Sequence, residues 1–195
     1  MRYIYRSLLF SLFAQPKNLQ MKKYAIPFFL IGSLLMIYVM VKTGAPLKTL
    51  ATPNGILDLE FAYNTEKTAI VTNAWAITGP VDIIAAAKFN TWLDFIFLFF
   101  YSIFLFLTSK KIYRSFSGKF GQAGKTIAKG ALLAGMLDII ENAGMLTTLS
   151  GNGSGLISFM TSFCSVIKWT LAIMAVLYVL TGAIGLLRAK LKKQN

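Results

Sequence analysis

Four long apolar runs divide this chain, at residues 25–41, 91–108, 130–149 and 169–187. Each approaches the ~20 residues that carry a helix across about 30 Å of hydrocarbon. The pattern therefore predicts an all-α fold: a four-helix transmembrane bundle with a partly helical extracytoplasmic cap between helices 1 and 2. The first run carries no charged group. Its Pro27 falls in the opening turn of the predicted span, where proline costs little, and Gly32-Ser33 offers small side chains for close helix contact.

The segment 43–90 is too long for a featureless connection. It opens with Thr52-Pro53-Asn54-Gly55, a strong turn signal, followed by Ile56, Leu57, Leu59 and Phe61 alternating with Asp58 and Glu60. Residues 65–75 have helical spacing with Thr65 as the predicted N-cap, Gly79-Pro80 closes that piece, and 81–89 reads as a further short helix before the second span. Two or three short helices covering the outer end of the bundle are predicted. Upstream, residues 1–23 form a separate basic segment, in which 1–14 suit an interfacial amphipathic helix ending before Pro16. Met21-Lys22-Lys23 before an apolar run resembles both a second start and a signal peptide. The run's length and the lack of a small-x-small cleavage site favour a retained first helix. The membrane domain is 24–189, and 190–195 is a basic tail.

The formal net charge of +13 would suit nucleic acid if it were spread evenly. It is not. Arg2, Arg6, Lys17, Lys22 and Lys23 precede the first span. Lys110, Lys111, Arg114, Lys119, Lys125 and Lys129 lie between the second and third, and Arg188, Lys190, Lys192 and Lys193 follow the fourth. These segments hold no Asp or Glu, whereas the segment between the first two spans is balanced. The positive-inside rule places both termini in the cytoplasm, and the basic face is expected to meet anionic lipid headgroups rather than nucleic acid. Trp75, Trp92 and Trp169 are predicted to form an outer aromatic belt. The stretch from Gly118 to Thr126 superficially resembles a phosphate-binding loop, but Lys119 stands where its first glycine belongs and no strand precedes it. It reads as a flexible basic hairpin.

Acidic side chains interrupt this apolar pattern. Asp138, Glu141 and Asn142 share one face of the third span with Met145, at spacings of three and four residues. Intramembrane ionisable groups are costly and point to function. Counting from Lys129 puts Asp138 roughly 13 Å and Glu141 roughly 18 Å above the inner boundary, with Asp94 at about 24 Å and Lys168 at about 30 Å. The four form a predicted ladder. Asp94 lies one turn into the second span, where it would meet free amides, and Tyr101 returns to its face. Lys168 either pairs with Asp94 or Glu141 or snorkels to the headgroups. Three readings of the acidic set stand side by side. One is a polar packing network, a structural or scaffolding role. The second is a site for a lipid or other hydrophobic small molecule, lined by Asp94, Tyr101, Asp138, Glu141 and Asn142. The third is a proton or cation channel or transporter built from a homo-oligomer. If chemistry occurs, Glu141 is the candidate proton shuttle.

The chain has one cysteine, Cys164, and no histidine. An intrachain disulfide, Cys-x-x-Cys redox chemistry, bis-His haem and His-dependent nucleophilic dyads are thereby excluded. No metal and no cofactor is expected, and an enzymatic role is neither required nor excluded. The motifs Thr52-Pro53-x-Gly55-Ile56-x-x-Leu59-Glu60-x-Ala62, Leu93-Asp94-x-x-Phe97-x-x-x-Tyr101 and Leu137-Asp138-x-x-Glu141-Asn142 resemble an uncharacterised family of small bacterial four-span integral membrane proteins. The resemblance spans 52–142. It implies a bacterial inner-membrane setting and no activity, and it makes Glu60 a candidate lid residue over the Asp94–Glu141 layer.

Overall fold

The computed structural model describes residues 18–76, 81–192 and 194. Among them are six α-helices: α1 (Asn18–Thr43), α2 (Ile56–Glu60), α3 (Thr65–Trp75), α4 (Ile83–Tyr113), α5 (Gly118–Thr147) and α6 (Gly155–Leu191). Four of these, α1, α4, α5 and α6, are long and apolar enough to cross a membrane. The protein is an all-α, multi-pass membrane bundle. The segment 1–17, with the predicted interfacial helix, and Gly79-Pro80 lie outside the described residues.

The arrangement of side chains is inverted relative to a water-soluble bundle. On α5 the buried face reads Gly121, Gly124, Ala128, Ala131, Ala134, Gly135, Asp138, Glu141, Asn142 and Met145. Leu132, Leu133, Met136, Ile139 and Ile140 face outward. Lipid solvates apolar surface as well as a protein core does, so helices associate through small residues and polar contacts instead. The small residues set the spacing. A Cβ at Gly135 would lie 2.8 Å from Ser102 Cβ and Oγ on α4, and one at Gly124 would overlap the Tyr178 ring of α6. Together α4, α5 and α6 form the tightly packed unit, and α1 lies along α4, where Phe28 and Phe29 meet Phe99 and Phe100.

The helices overrun the predicted spans. α4 has 31 residues and α6 has 37, or about 46 and 55 Å at 1.5 Å per residue, well beyond a hydrocarbon core of about 30 Å. Residues 83–89 are the first turns of α4 itself, begun by Asp82, whose side chain accepts from Ala85 N. The basic segment between the second and third spans is helical on both sides of a short turn, so it is no flexible hairpin. Gly118 takes φ +71 and opens α5 directly. Pro27 lies well inside α1, which starts at Asn18, and Asn64 caps α3 in place of Thr65, its side chain accepting from Lys67 N at 2.8 Å.

Between α1 and α4 the chain folds into a cap with its own small core: Leu47, Leu59, Val71 and Trp75 pack on Ala87, Met145 and Leu149 of the bundle. Trp75 is its centre rather than a belt residue. Its Nε1 donates to Leu47 O at 3.0 Å and Thr52 Oγ1 at 3.1 Å, because a buried indole N–H needs acceptors. Gly55, at φ +66, makes the turn that launches α2. Asn90 Nδ2 donates to Met40 O and Thr43 Oγ1, tying the end of α1 to α4.

Candidate functional site

The acidic side chains meet in one layer beneath the cap. Asp138 and Glu141 project from α5 and Lys168 from α6. Lys168 Nζ lies 2.8 Å from Asp138 Oδ1 and 2.9 Å from both Glu141 oxygens. Glu60, at the end of α2, adds a third carboxylate 3.6 Å from Nζ. Tyr101 Oη donates to Asp138 Oδ2 at 2.8 Å, and Asn142 Nδ2 donates to Asp94 Oδ2 at 2.8 Å. All of these side chains except that of Tyr101 are buried, Glu141 and Asn142 completely. Their formal inventory is four carboxyls against one ammonium.

The structure brings Glu60, Asp94, Tyr101, Asp138, Glu141, Asn142 and Lys168 together, at depths other than those the spacing predicts. Lys129 is an exposed residue inside α5, eleven positions past its start, and so marks no boundary. Measured from Gly118, Asp138 stands about 30 Å along the helix, level with Lys168. The predicted ladder collapses into a single layer. Asp94 sits three turns into α4, beyond any free amide, so its partner is Asn142 and not the helix end. Lys168 does not snorkel: it is 6% exposed and turned inward, and it bonds Glu141 and Asp138 rather than Asp94.

Glu60 is held from two directions. Its Oε2 accepts from Trp169 Nε1 at 3.0 Å, and its backbone oxygen accepts from Ser162 Oγ at 2.9 Å and Ser165 Oγ at 3.2 Å. A third hydroxyl contact, Thr68 Oγ1 to Ser158 Oγ at 2.8 Å, fastens α3 to the same helix. Ser158, Thr161, Ser162, Ser165 and Lys168 thus form a buried polar stripe on α6. The predicted fourth span starts at 169, after this stripe, and leaves the serines outside it. Their spacing of three and four residues was the available signal.

A groove of about 510 Å³ opens onto the layer, within the range of small-molecule sites. It runs between α1 and α6 over α4. Leu34 and Ile37 form one apolar wall, Ala172 and Val176 the other, and Phe104 the floor. Its polar end is made by Glu60, Asp94, Tyr101, Asp138, Lys168 and Trp169. Glu141 and Asn142 do not line it: Glu141 holds Lys168 from behind, and Asn142 holds Asp94. On the basic side of the layer, Leu105, Ala131 and Ala175 pack into an apolar plug with Tyr101 and Phe104 against it.

No three His, Cys, Asp or Glu side chains among the described residues are arranged to hold a metal ion. Comparison of the chain with protein-family models, curated proteins and solved structures finds no match.

Proposed function

We propose that this protein binds a lipid or another hydrophobic small molecule, with the apolar part in the α1–α6 groove and the polar part at the Glu60–Asp94–Tyr101–Asp138–Lys168 layer. One observation carries this reading: an apolar groove ends on a buried, hydrogen-bonded charged cluster. A purely structural network does not require such an opening. The cap supports the same reading, since α2 supplies Ile56 and Leu57 to the groove and Glu60 to its polar end. With basic segments facing the cytoplasm, the cap faces outward and the groove opens toward the outer leaflet. A bacterial inner membrane is the setting proposed with it, on the resemblance of the 52–142 motifs. A proton or cation conductor draws less support, because Leu105, Ala131 and Ala175 pack an apolar cluster on the basic side of the charged layer.

Native mass spectrometry of gently extracted protein tests the proposal. Wild type is expected to retain a defined small molecule or lipid, and Ala172→Trp, which fills the groove one helical turn beyond Lys168, is expected to lose it. Equal retention by both would reject the site. An empty protein that passes protons in liposomes would favour conduction instead.

A further inference from the structure

The charged layer is asymmetric in a way that selects its ligand. Lys168, the only cation in it among the described residues, is already engaged by Asp138 and Glu141 and lies beside Glu60, so it has little capacity left for an incoming anion. Acceptors are in surplus. Asp94 is 6% exposed, lines the groove and takes one hydrogen bond, on Oδ2; its Oδ1 accepts none among the described residues. Glu60 likewise engages Trp169 and Lys168 through Oε2 alone. Two groove-lining carboxyls therefore each keep an oxygen free of these contacts, in a layer whose formal charge is negative.

From this charge complementarity, and resting on the binding reading above, we infer that the occupant is an amphiphile carrying a protonated amine, placed against Asp94 and Glu60 with its chain along Phe97, Phe104 and Val176. A primary ammonium has three N–H donors and no acceptor, which matches free carboxylate oxygens, and such charge-assisted bonds are the strong ones. An anionic headgroup would add like charge where only one ammonium offsets four carboxyls. A zwitterionic phospholipid would bring its phosphate to the same place, so the amine is carried on a phosphate-free chain.

The test compares dodecylamine, dodecanol and dodecanoate on the full chain in phosphatidylcholine nanodiscs, using wild type, Asp94→Asn and Ala172→Trp. An asparagine at 94 still accepts from Asn142, so the bundle keeps that contact. Wild type is expected to bind dodecylamine about tenfold or more tighter than the alcohol and to discriminate further against the acid. Asp94→Asn is expected to erase the amine preference and leave alcohol binding in place. If the acid or alcohol binds wild type as well as the amine does, while Ala172→Trp abolishes binding, the groove stands and the amine inference falls. If none of the three binds wild type, the binding reading itself falls. If nanodiscs of phosphatidylethanolamine suppress dodecylamine binding about tenfold, the phosphate-free class is wrong.

Discussion

Lys168 Nζ stands 2.8 Å from Asp138 Oδ1 and ties α6 to α5 inside the bundle. The same ammonium serves Glu141 at 2.9 Å, so one cation organises two buried carboxylates. Removing one partner of a buried ion pair leaves the other charge uncompensated, which typically costs about 3–5 kcal/mol. Lys168→Met should lower unfolding stability in micelles by about that amount. The double variant Lys168→Met/Glu141→Gln should recover part of the loss. A midpoint unchanged by Lys168→Met would mean that the ammonium does not sit in this layer.

Trp75 anchors the cap through its ring and its two hydrogen bonds. Trp75→Phe keeps an aromatic ring but removes the donor and leaves a smaller side chain. The cost should be about 1–3 kcal/mol, felt locally. Amide exchange measured by mass spectrometry should rise in 44–75 and stay unchanged in the spanning part of α5. Uniform exchange changes across all helices would contradict an independently loosened cap.

The α4–α5 approach depends on Gly135. A side chain there meets Ser102 Cβ and Oγ at 2.8 Å, whereas one at Gly130 meets only the end of Leu171 at 3.3 Å. Gly135→Val should cost about 1–3 kcal/mol through overpacking and displace Tyr101 from Asp138, while Gly130→Ala should be nearly silent. Thermal unfolding of the two variants side by side decides the matter, and equal midpoints would deny the close approach.

Ser162 and Ser165 both donate to the Glu60 carbonyl oxygen. Replacing both with alanine should weaken the seat of α2 by about 1 kcal/mol per lost bond and leave the four long helices intact. Faster exchange at the end of α2 with unchanged helical content would bear this out. Unchanged exchange there would show that Trp169 and Lys168 hold Glu60 without the serines.

Local pattern was enough to determine the number of long helices and the shared face of Asp138, Glu141, Asn142 and Met145, because hydrophobic run length and the 3.6-residue period are properties of the chain itself. It also marked the turn before α2. What it misjudged were boundaries and levels. Lys129 reads as a membrane border, yet the helix continues past it because its side chain projects outward. The polar stripe ahead of Trp169 was passed over for the converse reason: five hydroxyl and amine side chains depress local hydropathy although each finds a partner or a buried place in the bundle.

Only the tertiary structure decided which groups meet. Lys168 had several acids within reach on paper, and the register of α6 against α5 selected Asp138 and Glu141. That register is set by side chains far from the layer, such as Tyr178 of α6 lying over Gly124 of α5. The groove is still less local, since α1, α2, α4 and α6 each supply part of its wall. Periodicity along a chain determines which face of a helix is buried. Depth, partner and cavity follow from how separate helices slide against one another, a relation no single segment encodes.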